Sequence, residues 1–189
     1  MELLLDRQLI LAENAIMETP RLTLRPVTLA DAEDMYDYAH DREAMQFVFE
    51  PHQTLEDTKR NIANYFLSSP LGKFGIELKE SGHLIGSIDL NLQEAHENGV
   101  LGYVLHPDYW GQGIVAEAGE ALLALAFDKL RLIRVSAVHD VLNPNSGKVM
   151  TKLGMTFEGR LPNARKWKGK VVTDQQYGIT KEMWEAGHV

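Results

Sequence analysis

Between Tyr103 and Glu117 the chain reads Tyr-Val-Leu-His-Pro-Asp-Tyr-Trp-Gly-Gln-Gly-Ile-Val-Ala-Glu, and this segment restricts the fold more than any other. A strand pattern over Val100–Leu105 is broken by His106-Pro107-Asp108. Gly111 and Gly113 follow, and an Ala- and Leu-rich helical pattern starts at once at Ile114 and runs to Leu130. With the strands and helices predicted along the rest of the chain, the order β-α-α-β-β-β-α-β-α-β-β makes the class a mixed α/β or α+β sheet packed by helices. The first turn of a helix carries amides without intrahelical partners, and with the helix dipole they form a site for an anion such as phosphate. A tight strand-to-helix turn is the bland alternative. Two nucleotide motifs are excluded: position 116 is Ala, so no Gly-x-Gly-x-x-Gly is present, and no Gly-Lys-Ser/Thr follows.

The rest of the chain supplies a sheet and its covering helices. Arg21–Arg25 alternates as a half-buried strand and stops at Pro26. Thr28 with Asp31, and Thr54 with Asp57, each signal a helix start, followed by apolar residues at helical spacing (Ala32, Met35, Tyr36, Ala39; Leu55, Ile62, Tyr65, Phe66). Phe74–Lys79 and Leu84–Leu90 predict a hairpin around Glu80-Ser81-Gly82-His83. Arg134–His139 predicts a strand, Ser146–Leu153 a helix, and Met155–Arg160 with Val171–Ile179 two more strands. Asn143-Pro144-Asn145-Ser146 punctuates the helix start, and Gly154 its end.

Composition narrows the chemistry. Among 189 residues there is no cysteine, which excludes any covalent intermediate on a thiol and fits a reducing, cytoplasmic location. A net charge of −8 argues against a broad nucleic-acid surface and favours cationic substrates, although solubility alone also accounts for it. Residues 1–17 have Glu2 and Asp6 where a signal peptide carries positive charge, and no stretch reaches membrane-span length. We read 1–17 as an N-terminal extension, either a docked helix or an added start, and 18–189 as the domain.

Tyr109-Trp110-Gly111-Gln112-Gly113-Ile114-Val115-Ala116-Glu117-Ala118 resembles the acetyl-CoA loop of the GNAT superfamily of N-acetyltransferases. The similarity extends to Glu18–Pro26, Leu101–Leu105, Asn143–Ser146 and Lys152–Gly159, and is greatest to the RimJ/RimL-like branch, the ribosomal-protein N-terminal acetyltransferases. The resemblance implies a mixed, mostly antiparallel sheet splayed at its centre and flanked by helices. It implies acetyl-CoA as cosubstrate, with no metal, and direct transfer to a primary amine. Amides of Gly111, Gln112, Gly113, Ile114, Val115 and Ala116 would hold the pyrophosphate, with Trp110 at the family's Arg/Gln position. Val115 stands where the family has a small residue and would narrow the groove. Backbone groups of Val104 and Leu105 would pair with the pantetheine arm, Asn143 would bond it, and Ser146 would protonate the departing thiolate in place of the tyrosine many relatives use.

Relatives often carry a glutamate base two residues before Gly102-Tyr103, where this chain has Val100. Asp89, His106 and His139 remain candidates, alongside water. Thr173, with Asp174 beside it, also departs from the family's usual aspartate. The implied acceptor is an α-amino group such as a protein N-terminus. A small cationic amine (polyamine or aminoglycoside) and a non-catalytic acyl-CoA-binding module are the alternatives. A homodimer stays open.

Overall fold

The computed structural model describes residues 5–187. Its centre is an eight-stranded sheet in the order β1-β2-β3-β4-β5-β6-β8-β7, built from Met17–Glu18, Leu22–Arg25, Lys73–Leu78, Leu84–Gln93, Asn98–Leu105, Arg134–Asp140, Thr156–Trp167 and Lys170–Thr180 (β1 to β8 in chain order). Every neighbouring pair is antiparallel except β5 and β6. Among the described residues six α-helices accompany it: α1 Arg7–Glu13, α2 Ala32–Ala39, α3 Leu55–Asn61, α4 Ile114–Ala124, α5 Pro144–Lys152 and α6 Lys181–Gly187. This is the mixed α/β arrangement expected.

The parallel pair decides the shape. β5 and β6 match only over Asn98–Val100 and Arg134–Ser136, yet β5 continues to Leu105 and β6 to Asp140. Beyond Val100 the strands part, and the sheet opens at its centre. Parallel strands need a long crossover, and here α4 is that connection, so its N-terminus stands at the open end of the gap.

The sheet lies between two apolar clusters. One gathers Ile85, Leu101, Leu105 and Ala137 with Leu122 of α4, Met150 of α5 and Leu153 just after it. The other gathers Met35 and Ala39 of α2, Ile62 and Phe66 after α3, and Leu84 and Val104 of the sheet. A bulge seats the extra residue Ile85 between Leu84 and Gly86, so β4 side chains before and after it alternate in opposite phase. α3 continues as a π-helical stretch over Ile62–Leu67, and α4 does so over Leu125–Lys129. The period-3.6 reading merged each with its helix.

The elements that sequence periodicity left out are held by long-range partners. Within residues 1–17, α1 is capped by Asp6, places Leu11 in the core, and fixes Arg7 on Leu130 O (2.9 Å) and Glu97 (2.7 Å). Residues 1–4 lie outside the described residues. α6 buries Trp184 against Phe127, centroids 5.8 Å apart. β7 runs to Trp167 rather than Arg160, because Trp167 and Lys168 at the hairpin tip reach the carbonyls of Gln46 and Met45.

The start of α2 is welded to the sheet. Asp31 accepts from the Thr28 amide at 2.7 Å, and Arg25 of β2 clamps both Asp31 oxygens (2.7 and 3.0 Å) while donating to Glu77 of β3 (2.6 Å). Burial would raise the Asp31 carboxyl, but the hydrogen bonds and charge of Arg25, with the Thr28 amide, outweigh it and hold it below the usual range. Arg25→Met leaves this buried carboxylate without its guanidinium and should cost about 2 kcal/mol at pH 7. A depressed folded-state pKa stabilises above the unfolded value of about 3.9 and is lost as pH falls through the folded value. The gap between variant and wild type in urea unfolding should therefore be full at neutral pH and close below about pH 4.

Candidate active site

The gap exposes one edge of β5. His106 N–H donates to Ile85 O at 2.8 Å, so alternation turns the backbone groups of even-numbered residues towards β4 and those of Leu101, Tyr103 and Leu105 towards the gap. Val104 is therefore corrected: it pairs with Ser87, and its carbonyl lies against Gly86. Leu105 does face the gap, but its carbonyl accepts from Trp110 Nε1 at 2.9 Å. The Tyr103 backbone and the Leu105 N–H remain for an extended ligand. The Tyr103 side chain packs against the cluster beneath α4 and α5 and donates its hydroxyl to Ser146 O at 3.0 Å, while burial pushes its pKa up to about 12.

The glycine loop closes the open end. Gly111 and Gly113 both have φ of +75°, a conformation that costs any other residue strain. The first backbone bond entering α4 runs from Glu117 N–H to Gly113 O, so Ile114, Val115 and Ala116 present amides with no intrahelical acceptor. Val115 does not narrow the groove, because its side chain is buried in the core cluster below. Trp110 ties the loop to β5 through its indole, and Gln112 ties it to Asp108 O at 2.9 Å.

Cations gather here that sequence reasoning did not single out. The Lys152 ammonium at the end of α5 stands 3.1 Å from where a Gly113 Cβ would lie, with an Arg21 nitrogen at 3.8 Å. Arg21 donates to Gln112 O (3.0 Å) and to Glu117 (2.6 Å), and Glu117 also accepts from Thr19. These side chains border a groove of about 530 Å³ with Ala116 and Ala121 on its wall. Arg21 fell within a motif already noted, but only as a strand residue. Its second role depends on a contact 91 residues away.

Asn143 precedes α5 without capping it. Its side-chain amide instead donates to Ser146 Oγ at 3.2 Å, which leaves the serine hydroxyl hydrogen free to point elsewhere. Ser146 is half-buried and joined to β5 through Tyr103.

The three candidate bases separate clearly. His106 Nδ1 accepts from the Asp108 N–H and Nε2 faces Asp37 at 3.1 Å, so the network assigns the proton to Nε2 and leaves no free ring lone pair. His139 lies under α5, Nδ1 on the Asp140 carbonyl and Nε2 buried against Gly147. Asp89 is on the α2/α3 face beside Gly102, accepting from Tyr65 (2.5 Å) and Asn91 (2.9 Å). Val100 is flanked by Asn91 and Ser136. Asp174 is buried and clamped by Arg165 at 2.9 and 3.1 Å.

Known proteins share this fold. The model of the acetyltransferase (GNAT) domain matches residues 21–156. An uncharacterized N-acetyltransferase of Bacillus licheniformis, p20, is 30% identical over 169 residues, covering 86% of this chain and 94% of its own. A GNAT-family acetyltransferase from Bacillus anthracis superposes with a TM-score of 0.81 at 26% identity, over 88% of this chain and 99% of that one. RimL, a ribosomal L7/L12 α-N-protein acetyltransferase in complex with coenzyme A, shares the fold with a TM-score of 0.77 at 20% identity, over 87% and 97%. The chain belongs to the GNAT family and is an N-acetyltransferase.

Proposed function

We propose that the protein transfers acetyl from acetyl-CoA directly to an α-amino group, such as the N-terminus of a protein or peptide. The observation that carries this reading is the gap between β5 and β6, which ends at the unpartnered amides of α4. Those amides suit a pyrophosphate. The Tyr103 and Leu105 backbone groups suit the two amides of a pantetheine arm running into the gap. Among the cofactor-binding residues, Gly111 to Ala116 act through backbone N–H groups, Trp110 through the shape it gives the loop, and Lys152 with Arg21 through charge.

In the reaction the amine nitrogen attacks the thioester carbonyl, the carbon–sulfur bond breaks, and the CoA thiolate receives a proton. Ser146 supplies it, held by Asn143 with its hydroxyl hydrogen unused. A free thiol has a pKa of about 8.5, so the thiolate leaves tolerably without help. Ser146→Ala should therefore lower kcat by less than about 10²-fold, the lower end of the usual acid–base range, and leave acetyl-CoA affinity unchanged. Steady-state kinetics at saturating cosubstrate decide it: unchanged kcat with a lowered Tm makes Ser146 a helix residue only.

The acceptor follows from deprotonation. An α-amine has a pKa near 7.7–8.0 and a lysine side chain about 10.4, a difference of about 2.5 units or ~3.4 kcal/mol. Val100 removes the glutamate with which relatives often meet that cost, and RimL, similar in fold, is named for acting on an α-amine. CoA release with matched peptides should show N-terminal amines outpacing lysine side chains. Faster turnover of spermidine, an aminoglycoside or a lysine peptide overturns the α-amine assignment. Acetyl-CoA binding without acceptor-dependent CoA release for any amine leaves a non-catalytic acyl-CoA-binding module.

A further inference from the structure

Asp89 occupies a position that several elements cooperate to shape. The bulge at Ile85 turns Ser87, Asp89 and Asn91 to the α2/α3 face. The π-helical stretch after α3 swings Tyr65 over that face, where its hydroxyl donates to Asp89 Oδ2 at 2.5 Å. Lys73, directly across the ladder on β3, holds Tyr65 from behind: its ammonium donates to the Tyr65 carbonyl at 2.6 Å and lies 3.9 Å over the ring. Asn91 donates to Oδ1 at 2.9 Å.

The fourth side is left open by a missing side chain. Asp89 is paired with Gly102, and a Cβ built on Gly102 would meet Asp89 Oδ1 at 2.7 Å. The carboxylate therefore leans across β5, two residues past the point where β5 leaves β6. Ser146 reaches the same stretch of β5 from the opposite face through Tyr103. Tyr65 and Asn91 each donate to one Asp89 oxygen and the Gly102 amide donates to the carboxylate as well, so of its roughly four lone-pair sites it keeps capacity for another bond. Asp89 is only half-buried, and Tyr65 beside it is 40% exposed.

We propose that Asp89 takes the proton from the acceptor's ammonium group, and that Tyr65 and Lys73 are positioning residues that hold its carboxylate over Gly102. The proposal rests on the acetyl-transfer reading above and supplies the base that Val100 does not. The acceptor R–NH3+ passes one proton to the carboxylate, giving R–NH2 and a carboxylic acid. The nitrogen lone pair forms the new bond to the thioester carbon and the carbon–sulfur bond breaks. The second nitrogen proton compensates the one that Ser146 gives to the thiolate, and Asp89 returns its proton to solvent. The sum is R–NH3+ plus acetyl-CoA to acetamide, CoA thiol and one released proton.

Burial raises the Asp89 carboxyl above the usual carboxylate range, against hydrogen bonds from Tyr65, the Gly102 amide and Asn91 and the charge of Lys73, which pull it down. These are the groups that face it from the π-helical stretch after α3 and from β5, β4 and β3. The test is kcat/KM against pH with an N-terminal peptide. Wild type should rise with an inflection well below the peptide amine's own value of about 7.7–8.0 and then level off. Asp89→Asn should lose about 10²-fold or more at pH 7 and move its inflection up to that of the amine. Tyr65→Phe should lose less rate but shift the inflection upward, because the carboxylate loses a donor; a merely structural tyrosine would lower Tm and leave the inflection in place. Acetyl-CoA-dependent stabilisation reports whether each variant folds, and if Asp89→Asn does not, the Tyr65→Phe inflection decides. An active wild type whose inflection matches the amine, or an Asp89→Asn profile like wild type, overturns this proposal alone. A wild type that acetylates no amine overturns the functional reading and this proposal with it.

Discussion

Three residue pairs hold β5 to β6, and the structure depends on where that pairing stops. A strand edge with unpaired N–H and C=O groups is costly when shielded from water. Here the edge is managed locally: the Trp110 indole takes the Leu105 carbonyl, and the Tyr103 hydroxyl ties the strand to α5. What is left over lies along a line that leads from the glycine loop into the middle of the sheet. The crossover that any parallel pair requires brings the N-terminus of α4 to the head of that line. Fold and site thus follow from one topological choice.

Electrostatics at the loop follow a related logic. Glu117 sits in the first turn of α4, where the dipole favours an acid but a bound phosphate would be repelled. Burial would raise its carboxyl, yet Thr19 and the Arg21 amide and guanidinium outweigh this and hold it below the usual range. The charge is thereby spent on anchoring the β1–β2 turn to α4, and Lys152 keeps its ammonium beside Gly113. An acidic chain can in this way present a locally cationic loop.

Local signals carried much of this. Capping pairs at Thr28 and Thr54, period-2 strands and the glycine loop are properties of short windows, and each falls where the pattern placed it. Features set by register or distant contacts were not legible. The phase of β5 relative to β4 decides that Val104 faces away from the gap, and no window of residues encodes that phase. His106 reads as a base until Asp37 and the Asp108 amide engage both its nitrogens. Tyr65 reads as a helix residue until the π-helical turn and the bulge at Ile85 bring it to Asp89. Arg21 and Lys152 meet at Gly113 from opposite ends of the chain.

The central claim is that acetyl-CoA lies along the β5 edge with its phosphates on the first turn of α4. Titrating acetyl-CoA into 15N-labelled protein and following the backbone amides tests it most directly. The account predicts the largest shifts at Gly111, Gly113, Ile114, Val115 and Ala116, with Tyr103 and Leu105 moving at the same ligand concentration while Val104 moves less. Shifts that leave the α4 amides in place, or that follow Val104 rather than Tyr103 and Leu105, would contradict it.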